Sequence, residues 1–137
     1  MRQDYRIRFL VASVVAAAVL SGGLVYQLRL PFPGWWPLAT LVFVASLLES
    51  LNTQLRLAAK GSTSFIIHMS AALLFGGWWA VLVAAVSTFV GEIARANTPI
   101  KIVFNISQRI LAVSLASLAY QGLGGSLPPA YIDGVVT

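Results

Sequence analysis

The sequence predicts an all-α fold, a polytopic transmembrane helical bundle of about five helical segments in which one segment is short or re-entrant. Hydrophobic residues make up 58% of the chain and charged residues only 9%, whereas soluble domains carry about 25% charged residues. The apolar residues form runs, and the longer runs can cross a hydrocarbon core of about 30 Å as helices. These two observations indicate an integral membrane protein.

Cysteine, histidine and acidic residues, on which many catalytic and metal sites depend, are absent or scarce in the sequence. The chain has no cysteine, which excludes a disulfide framework and a thiolate metal site. It has one histidine and four acidic residues, so we expect neither an enzyme active site nor a metal site. The net charge of +5 would suggest nucleic acid in a soluble protein. Here the cations lie at the ends of apolar runs and indicate membrane orientation, so no nucleic-acid partner is expected.

The first segment is predicted over residues 9–28, after a polar start that carries Arg2, Arg6 and Arg8. A basic start followed by an apolar run also describes a cleaved signal peptide. We expect an uncleaved signal anchor instead, because the apolar run continues to Val25. The basic start then predicts an N-terminus in the cytoplasm.

A turn rich in proline and tryptophan leads to the second segment, which is predicted over residues 36–51. Proline fixes φ and removes a backbone donor, and tryptophan favours the boundary between headgroups and hydrocarbon. A ligand-facing aromatic loop is the alternative interpretation of this turn. The tryptophans that we interpret as interface aromatics are Trp35, Trp36, Trp78 and Trp79.

Polar residues follow at the end of the second segment. Glu49, Asn52 and Arg56 share one helical face, because their spacing is i, i+3 and i+7. We expect a solvated cytoplasmic helix end here, with a binding site as the alternative.

Residues 65–93 are apolar but are interrupted by two adjacent glycines. They form either one long tilted helix or two segments, over residues 65–75 and 78–93, of which the first is only about 16 Å long. The split places Arg95 and Lys101 on the same side as the N-terminal arginines, which the positive-inside rule favours. We therefore predict the split, with the short segment as a short crossing or a re-entrant hairpin shielded by protein.

The last segment is predicted over residues 100–123. Pro99 falls in its first turn, where a helix tolerates proline, and Asn97 and Thr98 precede it as capping candidates. Residues 126–137 form a tail, which an odd number of crossings leaves outside the cytoplasm.

The stretch from Glu92 to Arg109 holds the candidate site. Arg109 lies about 14 Å inside the last segment, and Asn105 and Gln108 lie near the same helical face. Ionisable residues in a membrane are costly, and they are usually paired or functional. We predict a polar intramembrane core of Glu92, Asn105, Gln108 and Arg109, with an ion pair between Glu92 and Arg109 as its centre. The alternatives are a polar pocket for a small ligand or ion, and an Arg109 side chain that snorkels to water.

Glu49 and His68 form a possible secondary polar site. No second histidine supports a metal site at His68, so we interpret it as a hydrogen-bonded histidine between helices. The alternatives are a proton-responsive group and a ligand to the metal of a macrocyclic pigment. No cofactor is predicted. A bound lipid or pigment is expected only if the chain belongs to a larger complex.

Several short phrases resemble one family of membrane regions. They are Leu48–Leu51 at the end of one span, Ser64–Ile67 at the start of the next, Gly77–Glu92, Phe104–Arg109, and the closing pair Gly124–Gly125. This pattern is similar to the N-terminal multi-span region of bacterial signalling proteins that carry an HD-type (HD-GYP) phosphohydrolase or another cyclic-di-GMP output domain. The chain departs from such proteins in having no His-Asp pair for an HD metal site.

The resemblance implies a non-catalytic sensory or anchoring module in the bacterial inner membrane, with a cytoplasmic output domain as its partner. The chain ends at Thr137, outside the cytoplasm in this topology, so the alternative is a small accessory subunit of a respiratory or photosynthetic complex. Such a subunit would pack against partner subunits, membrane lipids or pigments. A substrate-binding transporter subunit is a third hypothesis, suggested by the break at the two glycines.

Overall fold

The computed structural model describes residues 2–54, 63–126, 131–132 and 135–136. The described helices are α1 (Arg2–Gln27), α2 (Trp35–Gln54), α3 (Thr63–Phe75), α4 (Gly77–Ala94) and α5 (Pro99–Gly122). The predicted all-α fold with five helical segments is confirmed. Within the predicted tail, two two-residue strands, β1 (Tyr131–Ile132) and β2 (Val135–Val136), pair antiparallel.

Three of these helices, α1, α4 and α5, are long and apolar enough to cross a membrane. The other two have shorter apolar stretches, Trp35–Leu51 in α2 and Ser64–Phe75 in α3. Large hydrophobic side chains such as Leu20 and Phe43 are exposed on the bundle surface, as expected for helices that face lipid rather than water. The structure therefore supports a membrane protein.

The break at Gly76 separates α3 from α4 and turns the chain back on itself. Gly76 has a φ of 89°, which favours glycine because a side chain is strained there. A Cβ at this position would also lie 2.9 Å from Leu30 Cδ1. The hairpin is antiparallel, because His68 of α3 reaches Ser87 of α4 across the turn. The single long helix is thus excluded, and α3, at 13 residues, is only about 20 Å long.

The other contacts fix the direction of each helix. Val25 of α1, Gly77 of α4 and Ser117 of α5 meet at one end, where a Cβ on Gly77 would lie 2.8 Å from Ser117 Cβ and 2.9 Å from Val25 Cγ1. At the opposite end, Glu49 of α2 meets Arg95, which follows α4. We call this second end the Arg95 end. The starts of α1, α3 and α5 and the ends of α2 and α4 all lie there.

Helix α4 is the centre of the bundle and packs against α2, α3 and α5, while α1 packs mainly against α5. The buried core consists largely of small residues, including Ala45, Ala71, Ala80 and Ala84. Small side chains let helix backbones approach closely, which favours packing where no hydrophobic effect drives association. Because α1 contacts α5 and not α2, a groove remains between α1 and α2, with α4 and α5 at its floor.

Candidate intramembrane polar site

Arg95 bridges two buried carboxylates at the Arg95 end. Its Nη1 lies 2.6 Å from Glu92 Oε1, and its Nη2 lies 2.9 Å from Glu49 Oε1. Nη2 also lies 3.4 Å from the Glu49 carbonyl oxygen. One guanidinium thus joins the end of α2 to the end of α4, using the fixed fork of donors that arginine offers to carboxylates.

Each of the two carboxylates accepts a further hydrogen bond on its second oxygen. The Ser64 hydroxyl donates to Glu49 Oε2 over 2.5 Å, and Asn97 Nδ2 donates to Glu92 Oε2 over 2.7 Å. Glu49 is 5% exposed and Glu92 1% exposed, so these hydrogen bonds replace water that the carboxylates have lost. We call Glu49, Ser64, Glu92, Arg95 and Asn97 the Arg95 network.

The environment of Arg95 favours its charged form. Burial of this side chain, which is 26% exposed, opposes the charge. The hydrogen bonds and negative charge of Glu49 and Glu92 outweigh that effect and raise the pKa of Arg95 above its usual value. Arg95 is therefore a permanent cation.

Gly91 lets α2 and α4 approach closely enough for the network to form. The Glu49 side chain lies across the backbone of Gly91, and a Cβ built there would overlap Glu49 Cγ. Gly91 makes room for the Glu49 side chain, and the next residue on α4 is Glu92, the second acid of the network. Glycine is required here for space and not for an unusual φ.

Arg109 lies near this network but contacts a different acid from the one predicted. Among the described residues, its ion pair is with Glu49, with Nη2 3.9 Å from Oε1. The expected ion pair between Glu92 and Arg109 is therefore not the one that forms. Arg95 follows Glu92 by three residues on the same helical face and, together with Asn97, occupies the Glu92 carboxylate.

A cavity of about 610 Å³ opens beside the network. All four residues of the predicted polar core line it, as do the charged residues Glu49 and Arg95. Its lining residues are Val14, Glu49, Thr88, Glu92, Arg95, Asn105, Gln108, Arg109, Leu111, Ala112 and Leu115. The structure thus brings the predicted core residues together around one space, with polar groups at the Arg95 end and apolar side chains deeper in the bundle.

His68 lies apart from this cavity, between α3 and α4. It is fully buried, and its Nε2 lies 2.9 Å from Ser87 Oγ. The hydroxyl of Ser87 also lies 3.3 Å from the Ala84 carbonyl oxygen. This contact agrees with the interpretation of His68 as a hydrogen-bonded histidine between helices. In the described part of the chain, no group of three or more His, Cys, Asp or Glu could hold a metal ion.

The tryptophans lie at the end opposite the Arg95 end. Trp35 and Trp36 are exposed at the start of α2, where an interface belt would place them. Trp79 Nε1 donates to the Leu30 carbonyl oxygen over 3.0 Å, and the Trp78 ring meets Tyr26 edge to face. The second pair of tryptophans therefore ties α4 to the last turn of α1 and to the loop that follows it.

The sequence predicts Glu49 only as part of a possible secondary polar site, at a helix end expected to be solvated, and does not predict Arg95 as a site residue. In the structure Glu49 is buried and accepts hydrogen bonds from two other segments. Asn52 and Arg56, predicted to share its face, lie outside the residues whose side chains the structure describes. The i, i+3 spacing of Glu92 and Arg95 was the available signal for the network.

No protein-family model, curated protein or solved structure matches the chain.

Proposed function

We propose that the chain is a non-catalytic membrane module that serves as the sensory or anchoring region of a bacterial signalling protein. One observation carries this proposal: a buried network of two carboxylates and Arg95 joins the ends of α2 and α4 beside a cavity lined by further polar groups. Polar groups inside a membrane are costly and are retained where they pair or bind. A ligand bound in a cavity beside an ion network can change the contacts of that network, which suits a sensor.

The charge distribution supports an N-terminus in the cytoplasm of a bacterial cell. Arg6 and Arg8 are exposed near the start of α1, and Lys101 is exposed in the first turn of α5, at the same end as Arg95. Arg29 lies at the opposite end, over the ring of Tyr26. Cytoplasmic loops carry the excess of basic residues, so the Arg95 end would face the cytoplasm.

The geometry suggests how occupancy could be transmitted. Arg109 on α5 and Arg95 after α4 both approach Glu49 on α2. A ligand that draws Arg109 away from Glu49 would break the ion pair that links α5 to α2 and leave the pair between Arg95 and Glu49 in place. Such a change biases one helix arrangement over another, which is what a switch requires.

A small accessory subunit of a larger membrane complex is the second candidate. It is favoured by a separate groove of about 230 Å³ between α3 and α5, lined mainly by apolar groups including Met69, Leu73 and Tyr120. Such a groove suits an acyl chain, a pigment or a partner helix. The two candidates differ in what the chain is physically attached to.

Gentle detergent extraction from the native membrane, followed by mass spectrometry of the intact species, separates them. The sensory proposal predicts a species well above 14.6 kDa whose peptides continue past Thr137 into a cytoplasmic domain. A 14.6-kDa chain in fixed stoichiometry with a large complex would contradict the proposal and support the accessory subunit.

A further inference from the structure

The cavity beside the Arg95 network is polar at one end and apolar at the other. Asn105, Gln108 and Arg109 line it on one stretch of α5, and Leu111 and Leu115 continue the same lining deeper in the bundle. Its volume of about 610 Å³ falls within the range of about 300–1,000 Å³ that holds small ligands. The lining therefore matches an amphiphile with one polar end.

Thr88 is an independent sign that something binds there. Its side chain is 2% exposed and lines the cavity, and its hydroxyl has no hydrogen-bond partner among the residues that the structure describes. Burying a polar group without a partner is costly. A ligand oxygen in the cavity would supply such a partner.

The hydrogen-bond donors around the cavity favour an acidic group on the ligand. Two glutamates and two arginines line it, so their charges balance. The carboxylates of Glu49 and Glu92 already accept hydrogen bonds from Ser64, Arg95 and Asn97. A carboxylate on the ligand matches the guanidinium geometry of Arg109 and the donor hydroxyl of Thr88.

We infer that the cavity binds a single-chain carboxylic acid, with its carboxylate on Arg109 and Thr88 and its hydrocarbon tail along Leu111 and Leu115. This inference deepens the proposed sensory function and rests on it, because it names the class of signal.

The depth of Arg109 selects a carboxylic acid over a phosphate. Arg109 lies about 15 Å along α5 from Pro99, at 1.5 Å per residue. A phosphate would carry its charge through that depth of apolar surroundings, which is costly. A carboxylic acid can enter from the lipid as its neutral form, because desolvation favours protonation. It can then release its proton to water at the partly exposed Arg95 end and bind the Arg109 guanidinium as a carboxylate.

The test uses the full chain in lipid nanodiscs with hexadecanoic acid labelled with ¹³C at the carboxyl carbon. The ¹³C chemical shift separates bound from free acid and reports whether the carboxyl is ionised. We expect saturable binding of one equivalent, with the bound carboxyl ionised at a pH where the acid in protein-free nanodiscs is protonated. Hexadecanol, which has the same chain without the acid, should not compete. Equal competition by hexadecanol, or tighter binding of hexadecyl phosphate, would overturn the inference.

Variants locate the binding in this cavity. Arg109→Gln should weaken binding at least tenfold, and Thr88→Val, which keeps the side-chain shape, should weaken it several-fold. Leu115→Trp should block the tail, and it is tolerated because Leu115 is half exposed. Lys101→Gln removes an exposed cation at the same end, outside this cavity, and should leave binding unchanged. If Arg109→Gln does not fold, wild-type affinity in both Thr88→Val and Leu115→Trp is the result that refutes the inference.

The failure of this inference can be told apart from failure of the sensory proposal. Absence of hexadecanoate binding, with a native species that continues into a cytoplasmic domain, would refute only the ligand class. A 14.6-kDa chain in a larger complex would refute the sensory proposal whatever the chain binds.

Discussion

Replacement of Arg95 by leucine is the sharpest test of the Arg95 network, because it removes one group and strips both buried carboxylates of a charged partner. Arg95 lies 2.6 Å from Glu92 and 2.9 Å from Glu49. Breaking a buried ion pair by removing one partner costs about 3–5 kcal/mol. Arg95 is 26% exposed, and Ser64 and Asn97 still donate to the two carboxylates, so we expect the lower end of that range, about 3 kcal/mol.

The assay is reversible unfolding in mixed detergent micelles with increasing sodium dodecyl sulfate, followed by tryptophan fluorescence and circular dichroism. Lys101→Leu is the matched control, because it removes an exposed cation at the same end and should change the free energy of unfolding by less than about 0.5 kcal/mol. In the Arg95→Leu background, Glu92→Gln should restore about 1 kcal/mol or more, since it neutralises one of the two carboxylates that have lost Arg95. If Arg95→Leu lies within about 1 kcal/mol of the control, the network does not hold α2 to α4.

Two further substitutions probe the packing around the site in the same assay. Gly91→Ala should destabilise the bundle by about 1–3 kcal/mol, because the added methyl group overlaps the Glu49 side chain. Gly23→Ala, whose Cβ meets nothing within 4 Å, should instead be neutral or stabilising, and equal effects at both glycines would refute the close crossing. Ser87→Ala should cost about 1–3 kcal/mol, because it removes the hydrogen-bond partner of His68 Nε2. The exposed Ser13→Ala serves as control, and a Ser87 variant as stable as that control would show that the histidine contact contributes nothing.

Much of the fold followed from local sequence signals. The split of the long apolar stretch was predictable because two glycines interrupt it and because basic residues favour one side of a membrane. The structure places the turn at Gly76, with a φ of 89°. The start of α5 was predictable from Pro99, which suits the first turn of a helix.

The centre of the site was not predictable in the same way. Glu49 and Arg95 are 46 residues apart in sequence and meet only because α2 and α4 run parallel and cross closely at Gly91. Sequence spacing favoured Arg109 as the partner of Glu92, but Arg95, three residues after Glu92 at the end of α4, pairs with that carboxylate instead. Local spacing identifies candidates, whereas the choice among competing partners depends on how the helices pack.

The resemblance noted in the sequence implies a cyclic-di-GMP output domain, so the cellular level of cyclic di-GMP is the measurement that we propose as the most direct test of the signalling proposal. It would be measured in the native bacterium carrying Arg109→Gln or Thr88→Val, with Lys101→Gln as control and with the amount of the chain in the membrane determined in each strain. The account predicts that both cavity variants change the cyclic-di-GMP level while the control matches wild type. Wild-type levels in both cavity variants, with the chain present in normal amount, would contradict a sensory role for this cavity.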